Sequence, residues 1–178
     1  MRVDRRTFLG SVAAVPLAAV IAPRRSRPRV VVIGAGAFGG WTALHLLRGG
    51  ADVTLLDAWG PGNARASSGG ETRVIRAVYG GDAIYSRMVR RAFELWETLD
   101  RSLYTETGAL WMFRDDDAAA RSAVPILREL AMPLEEVALD EARRRYGQID
   151  FRGVKSVWLE GRAGALYARR ACAVVRDT

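Results

Sequence analysis

Lysine, histidine and cysteine each occur once in this chain of 178 residues, as Lys155, His45 and Cys172. A single cysteine excludes an internal disulfide and any C-x-x-C redox or zinc motif. Around the lone histidine there is no cysteine, histidine or carboxylate pattern at ligand spacing, so no metal site is expected. A Ser-His-Asp triad would have to use His45 as its base. No apolar run reaches the roughly 18–20 residues that a membrane-crossing helix needs, which excludes a multi-pass membrane protein and leaves no stable span expected. What remains is ordinary globular material: 49% of residues are hydrophobic and 26% charged, a balance that fits neither disorder nor a low-complexity tract. The length suits one domain, or one domain with appendages.

The net charge of +7 is unevenly placed. Residues 1–29 hold seven arginines and one acid, Asp4, leaving 20 basic and 19 acidic side chains for residues 30–178. A nucleic-acid-binding domain carries its positive charge on the folded surface; here that part is nearly neutral, so no nucleic-acid partner is expected. The basic end has another explanation. Arg5-Arg6-Thr7-Phe8-Leu9 precedes the apolar stretch Ser11–Ala22, the charged and apolar regions of a signal peptide. The paired arginines followed by Phe-Leu resemble a twin-arginine export signal. Pro16 within the stretch and Arg24-Arg25 after it argue against an ordinary helix. Residues 1–28 are therefore expected to be a signal and linker read by the twin-arginine translocase. The protein would be periplasmic or extracellular, or membrane-tethered if the signal is retained.

Arg29–Ile33 is a short apolar run of the kind found in a parallel strand covered on both faces. It leads at once into Gly34-Ala35-Gly36-Ala37-Phe38-Gly39, a predicted helix from Ala37 to Arg48, and a second apolar strand, Val53–Leu56, that ends at Asp57. This is G-x-G-x-x-G between strand and helix, with an acid 23 residues after the first glycine, the arrangement of a dinucleotide site. Gly34 permits the tight turn, Gly36 lets a pyrophosphate approach the backbone, and Gly39 lets helix pack on strand. The helix start offers free N–H groups and the positive end of its dipole to phosphates. Asp57 would accept hydrogen bonds from a ribose hydroxyl, which disfavours the 2′-phosphate of NADP. FAD and NAD share this cradle, and the unit alone leaves the two open.

Ala58–Gly70 is a long loop of turn-forming residues, and loops of this length are usually functional. It is followed by Glu71-Thr72-Arg73-Val74-Ile75-Arg76 and then Tyr79-Gly80. With these segments the chain, from Arg29 to its end, resembles the FAD-dependent amine and amino-acid oxidases of the D-amino-acid oxidase superfamily, most closely the monomeric sarcosine oxidase and N-methyltryptophan oxidase branch. Ser67–Arg76 is the most specific match. Thr107-Gly108-Ala109-Leu110 and Gly164-Ala165-Leu166 also have counterparts in the family. The resemblance implies FAD as cofactor, held by Gly34, Gly36, Ala37, Phe38, Gly39, Asp57, Ala58, Ser67, Ser68, Thr72 and Arg73. Arg73, beside the flavin ring, is the implied catalytic residue. A positive charge there favours the reduced, anionic flavin. Arg76 is the implied partner of a substrate carboxylate, for which a guanidinium is a bidentate, permanently charged match. Sarcosine oxidases tend to carry histidine where this chain has Gly69, a departure that weakens the case for sarcosine itself among the candidate substrates. The cysteine that tethers flavin in some relatives lies in their C-terminal half, so Cys172 is read as a small buried hydrophobe.

The implied activity is oxidation of an amine or N-methyl amino acid to an imine, with molecular oxygen reduced to hydrogen peroxide. A non-flavin dehydrogenase using NAD and a non-catalytic nucleotide-binding remnant or subunit are the alternatives. The fold expected is α/β: a Rossmann-like FAD-binding part over 29–100, then the start of a mixed α+β substrate domain over 101–178. By resemblance the chain is the N-terminal half of such a protein, inactive alone and completed by a C-terminal half in cis or in trans. In the second part, Asp82 is expected to cap a helix over 83–101 whose apolar stripe is Ile84, Met88, Ala92, Leu95 and Leu99, with Val89, Phe93 and Trp96 beside it as core residues. Tyr104–Phe113 reads as one strand, Asp115-Asp116-Asp117 as solvated charges at a helix start, and 118–130 as a helix stopped by Pro133. A short polar helix over 139–146 and a strand near 154–159 follow.

Overall fold

In the computed structural model, Arg29–Ile33 (β1) and Asp52–Leu56 (β2) pair in parallel, Arg29 opposite Asp52 and Ile33 opposite Leu56. Residues 27–178 are described; the twin-arginine signal falls on residues outside them. The crossover between the two strands is helix α1, Ala37–Arg48, which Gly49 ends. Its buried face is made of small residues, Gly40 and Ala43, with Leu44 beside them. They admit a second helix, α5 (Ala168–Asp177), so closely that a Cβ on Gly40 would lie 3.2 Å from Val175 Cγ1. Leu44, Ala171 and Val175 share one apolar cluster there, and Cys172 is buried and unpaired.

Among the described residues only one face of the β1–β2 sheet is covered. Burial alternates along both strands, with Val31 61%, Ile33 84% and Leu56 51% exposed. The helices cover one face of the sheet, and a pleated strand sends alternate side chains to the other.

Helix α2, Ala83–Asp100, follows. Its buried stripe is Ser86, Phe93 and Trp96, with Val89 half-buried, while Ile84 and Met88 face outward. Phe93, Trp96 and Val89 are core residues as expected, and Ala92 and Leu99 pack beside them, but Ile84 and Met88 are not covered and Ser86 is buried instead, donating its hydroxyl to Ala77 O at 2.8 Å. Asp82 occupies the cap position, but its side chain makes no capping bond.

The expected strand over 104–113 is two strands in different sheets. Tyr104–Glu106 (β4) and Ala109–Phe113 (β5) are separated by Gly108, at φ +70°. A side chain there would be strained, and the Gly108 N–H donates to Ala163 O at 2.8 Å instead of continuing a ladder. β4 and Arg73–Ile75 (β3) flank Gly164–Leu166 (β8) in an antiparallel sheet of order β3-β8-β4. β5 and Leu134–Val137 (β6) flank Ser156–Glu160 (β7) in another, of order β5-β7-β6. Helix α3, Ala118–Glu129, buries Ala120, Ala123 and Leu127 against Phe93 and Trp158. Helix α4, Leu139–Arg145, closes a smaller cluster of Ala142, Phe151, Val154 and Val157.

Only part of the Asp115–Asp117 run is solvated. Asp116 Oδ1 accepts the Ala118 N–H at 2.8 Å. Asp117 is buried, accepting from Arg121 Nε at 2.7 Å and from Trp158 Nε1 at 3.0 Å. Those two donors, Arg121 first, hold its carboxyl down at about 2. The folded form binds this proton less readily than the unfolded chain, so the stabilisation is complete above the ordinary carboxylate range and lost as pH falls through about 2. Asp117→Asn should lower the melting temperature at pH 7 and flatten its fall between pH 4 and pH 2, as measured by circular dichroism.

Candidate functional site

The turn between β1 and α1 is built from backbone contacts that only glycine allows. Gly34 lies at φ +103°, and its N–H donates to Leu56 O at 2.7 Å, bridging the two strands. A Cβ on Gly39 would lie 1.7 Å from Gly34 O, so helix and turn could not approach each other with any side chain there. A Cβ on Gly36 would meet only Ser68 Oγ, at 3.9 Å. The bare Cα therefore leaves the amides of the first helical turn open on that side. Phe38 is almost wholly exposed beside them.

Asp57, at the end of β2, fastens this turn. Its Oδ2 accepts the Ala35 N–H at 2.7 Å and its Oδ1 the Trp59 N–H at 2.8 Å. These amides, Ala35 first, hold its pKa below the usual carboxylate value. The carboxylate is thus ionised and exposed, and each oxygen keeps a lone pair for a further donor such as a ribose hydroxyl. Ala58 is exposed alongside.

The loop over 58–70 folds back onto the same turn. Ser68 Oγ accepts the Ala37 N–H at 3.2 Å, so a residue 31 positions away sits at the helix start. Asn63 organises the bend: its Nδ2 donates to Gly60 O at 2.9 Å, its Oδ1 accepts from Arg65 N at 3.0 Å and its carbonyl accepts from Ala66 N at 3.0 Å. At Gly69 a Cβ would lie 2.1 Å from Asn63 O. The packing at this position requires glycine and excludes an imidazole in this loop conformation.

Helix α5 pins the loop from outside, through a residue that sequence reasoning missed. Arg169 Nη2 donates to Gly69 O at 2.8 Å, and its Nη1 lies 3.2 Å from Glu71 Oε1. The Ala168 N–H also donates to Glu71 O at 3.0 Å. Nothing in the local sequence Ala168-Arg169-Arg170 distinguishes this arginine from its neighbour, because its partners lie 100 positions away.

Arg73 and Arg76 both leave β3 but enter different surroundings. Arg73 curls over the loop, donating from Nε to Ser67 O at 2.7 Å and from Nη1 to Thr72 O at 2.8 Å. Gly70 makes room for it, since a Cβ there would lie 2.2 Å from Nη1. Ser67, Thr72 and Arg73 are exposed. Arg76 is half-buried, with its guanidinium 4.6 Å from the Tyr79 ring centroid and 5.0 Å from that of Trp111. Its Nη1 donates to Val78 O at 2.6 Å. Among the described residues neither arginine forms an ion pair with a carboxylate.

The fingerprint turn, Asp57 and Ser67–Arg73 therefore form one continuous surface, and Arg76 lies just beyond it. The open amides over Gly36, the ionised acid at the end of β2 and the serine at the helix start match the pyrophosphate and ribose of a dinucleotide.

Comparison with known proteins identifies that dinucleotide. A profile described as FAD dependent oxidoreductase matches residues 29–178. The chain is 31% identical over 139 residues to the monomeric sarcosine oxidase of Streptomyces avermitilis, a match that covers 76% of this chain and 36% of that protein. It is 28% identical over 136 residues to the N-methyl-L-tryptophan oxidase of Escherichia coli, covering 74% of this chain and 33% of that one. Among solved structures, the deglycating fructosamine oxidase of Aspergillus fumigatus superposes with a TM-score of 0.66 at 27% identity, over 85% of this chain and 35% of its own. The chain belongs to the FAD dependent oxidoreductase family, and FAD, not NAD, is its dinucleotide. It spans about a third of the length of these relatives.

Because Arg169 ties both Gly69 and Glu71 to α5, Arg169→Ala should loosen the loop without unfolding the core. Limited proteolysis should then cut within 58–70 faster by about tenfold, the effect of losing roughly 1.5 kcal/mol of charge-assisted bonding. The melting temperature should change little.

Proposed function

We propose that the protein contributes the FAD-binding and carboxylate-recognising part of an oxidase that converts an amine or N-methyl amino acid to an imine. Molecular oxygen is the electron acceptor and hydrogen peroxide the product. The observation that carries this reading is Arg76. Its guanidinium is half-buried beside two aromatic rings, held by a backbone carbonyl, and paired with no carboxylate among the described residues. A half-buried guanidinium without an ion-pair partner is well suited to an anionic ligand. FAD, when bound, supplies the two-electron acceptor for oxidation of the substrate C–N bond.

The chain's own residues divide the remaining work. Gly36, Phe38 and Gly39 offer backbone amides to the pyrophosphate, while Gly34, whose N–H is taken by Leu56 O, shapes the turn and Ala37, whose N–H is taken by Ser68 Oγ, holds Ser67 and Ser68 beside it. Asp57 and Ala58 receive the ribose end. Thr72 and Arg73 face the cofactor. Arg73, bound only to backbone carbonyls, keeps its full positive charge available to a developing negative charge on the flavin ring. Arg76 takes the substrate carboxylate and so orients the reacting C–N bond.

Further polypeptide, in cis or in trans, is required for turnover. The face of β1 and β2 that is left exposed among the described residues, with Val31, Ile33 and Leu56, supports this. So does an apolar groove of about 780 Å³ between α1 and α2 that Phe38, Trp41 and Leu95 help to line. Apolar surface of this extent marks a place where more protein packs. Export by the twin-arginine route, which carries folded cofactor proteins, is the localisation that Arg5-Arg6 and the following apolar stretch support.

The isolated chain should yield no amine-dependent peroxide in a peroxidase-coupled assay; turnover by it alone would overturn the requirement for further polypeptide. In the complemented, flavin-loaded enzyme, Arg76→Ala should raise KM for carboxylate-bearing amines by about 10- to 100-fold, the worth of a charged hydrogen bond. An amine lacking a carboxylate should be little affected.

A further inference from the structure

Glu160 closes β7 with its side chain 1% exposed, and no motif in the sequence singles it out. A buried carboxyl is retained only where its oxygens are matched by donors, and here both are. Oε1 accepts the Ala77 N–H, and Oε2 accepts the Trp111 indole N–H at 3.0 Å. Both donors belong to the surroundings of Arg76. Ala77 follows it in the chain, and the Trp111 ring centroid lies 5.0 Å from its guanidinium, near that of Tyr79 at 4.6 Å. One carboxyl therefore fixes the backbone from which Arg76 projects and also one of the two rings beside its guanidinium. Burial pushes the acid's pKa up, while the bonds from Ala77 and Trp111 and the charge of Arg76 oppose the shift. Glu160 and Arg76 do not meet as an ion pair, so the carboxyl holds the surroundings of the guanidinium without contacting it directly.

We propose that Glu160 is a positioning residue for carboxylate recognition: by holding the Ala77 amide and the Trp111 indole together, it sets the Arg76 guanidinium where it can take a substrate carboxylate. The inference rests on the assignment of Arg76 made above. It implies that the buried acid affects binding of carboxylate ligands specifically, and not merely the stability of the two sheets it joins. Glutamine at 160 has nearly the same volume but offers one acceptor oxygen and an NH2 group that faces a donor, so one of the two ties is lost.

The test follows the Arg76 Nε–H and the Trp111 indole N–H by NMR in the complemented, flavin-loaded protein with this chain isotope-labelled, during titration with acetate. In the unaltered protein the Arg76 signal should move saturably. In Glu160→Gln the indole signal should be displaced and the acetate midpoint weakened by about tenfold or more, the scale of effect expected when a binding group is misplaced by about 1 Å. A folded Glu160→Gln protein with an unchanged midpoint overturns the proposal, and a lowered melting temperature with that midpoint intact assigns Glu160 a purely structural role. If the unaltered protein shows no acetate response at Arg76, the assignment of Arg76 itself fails, which the comparison with the variant cannot mimic. Should Glu160→Gln not fold, Trp111→Phe decides. It keeps a ring beside Arg76 but cuts the tie to Glu160; a weaker midpoint is expected, and an unchanged one overturns the proposal.

Discussion

The rest of the site depends on the approach of α1 to the turn before it. With no side chain at Gly39, the helix start reaches the Gly34 carbonyl, and with Gly34 in a left-handed conformation the chain leaves β1 and enters α1 within a few residues. That brings the first-turn amides to the end of the parallel strands, where Asp57 can accept from Ala35 and Ser68 from Ala37. The loop over 58–70 then has a fixed surface to fold onto, and β3 starts from a defined place.

The first half of this arrangement could be read directly from the residues. β1 and α1 match the ranges expected from the apolar run, the glycine spacing and Gly49, and β2 begins one residue earlier than expected. Such signals are local: a turn that needs glycine, a helix whose small residues lie on one face, an acid at a strand end. The two arginines after the loop were legible only through resemblance, since an arginine-rich chain gives no local reason to choose Arg73 and Arg76 over the others.

What could not be read depended on partners far along the chain. Gly108 divides what looks like a single aromatic strand, and its role shows only against Ala163. Ser86 is buried in α2 because its hydroxyl reaches Ala77. Asp117, Arg169 and Glu160 look like surface charges in sequence, yet each is fixed by tryptophan, arginine or backbone groups between 4 and 100 residues away. Hydrophobic periodicity predicts which face of an element is buried when apolar burial dominates. It fails where a polar side chain has found its full set of partners and is buried because of them.

The tightness of the loop at Gly69 also limits how this chain can change. The imidazole that the family resemblance leads one to expect at that position has no room, because the Asn63 carbonyl and the Ala64 and Ala66 backbone occupy the space. A glycine-to-histidine replacement alone would break the bend before any new chemistry could be gained. A lineage moving toward such an active site would first have to relax the Asn63–Ala66 turn and give up the grip of Arg169, so the order of substitutions is constrained by geometry before selection on the reaction begins.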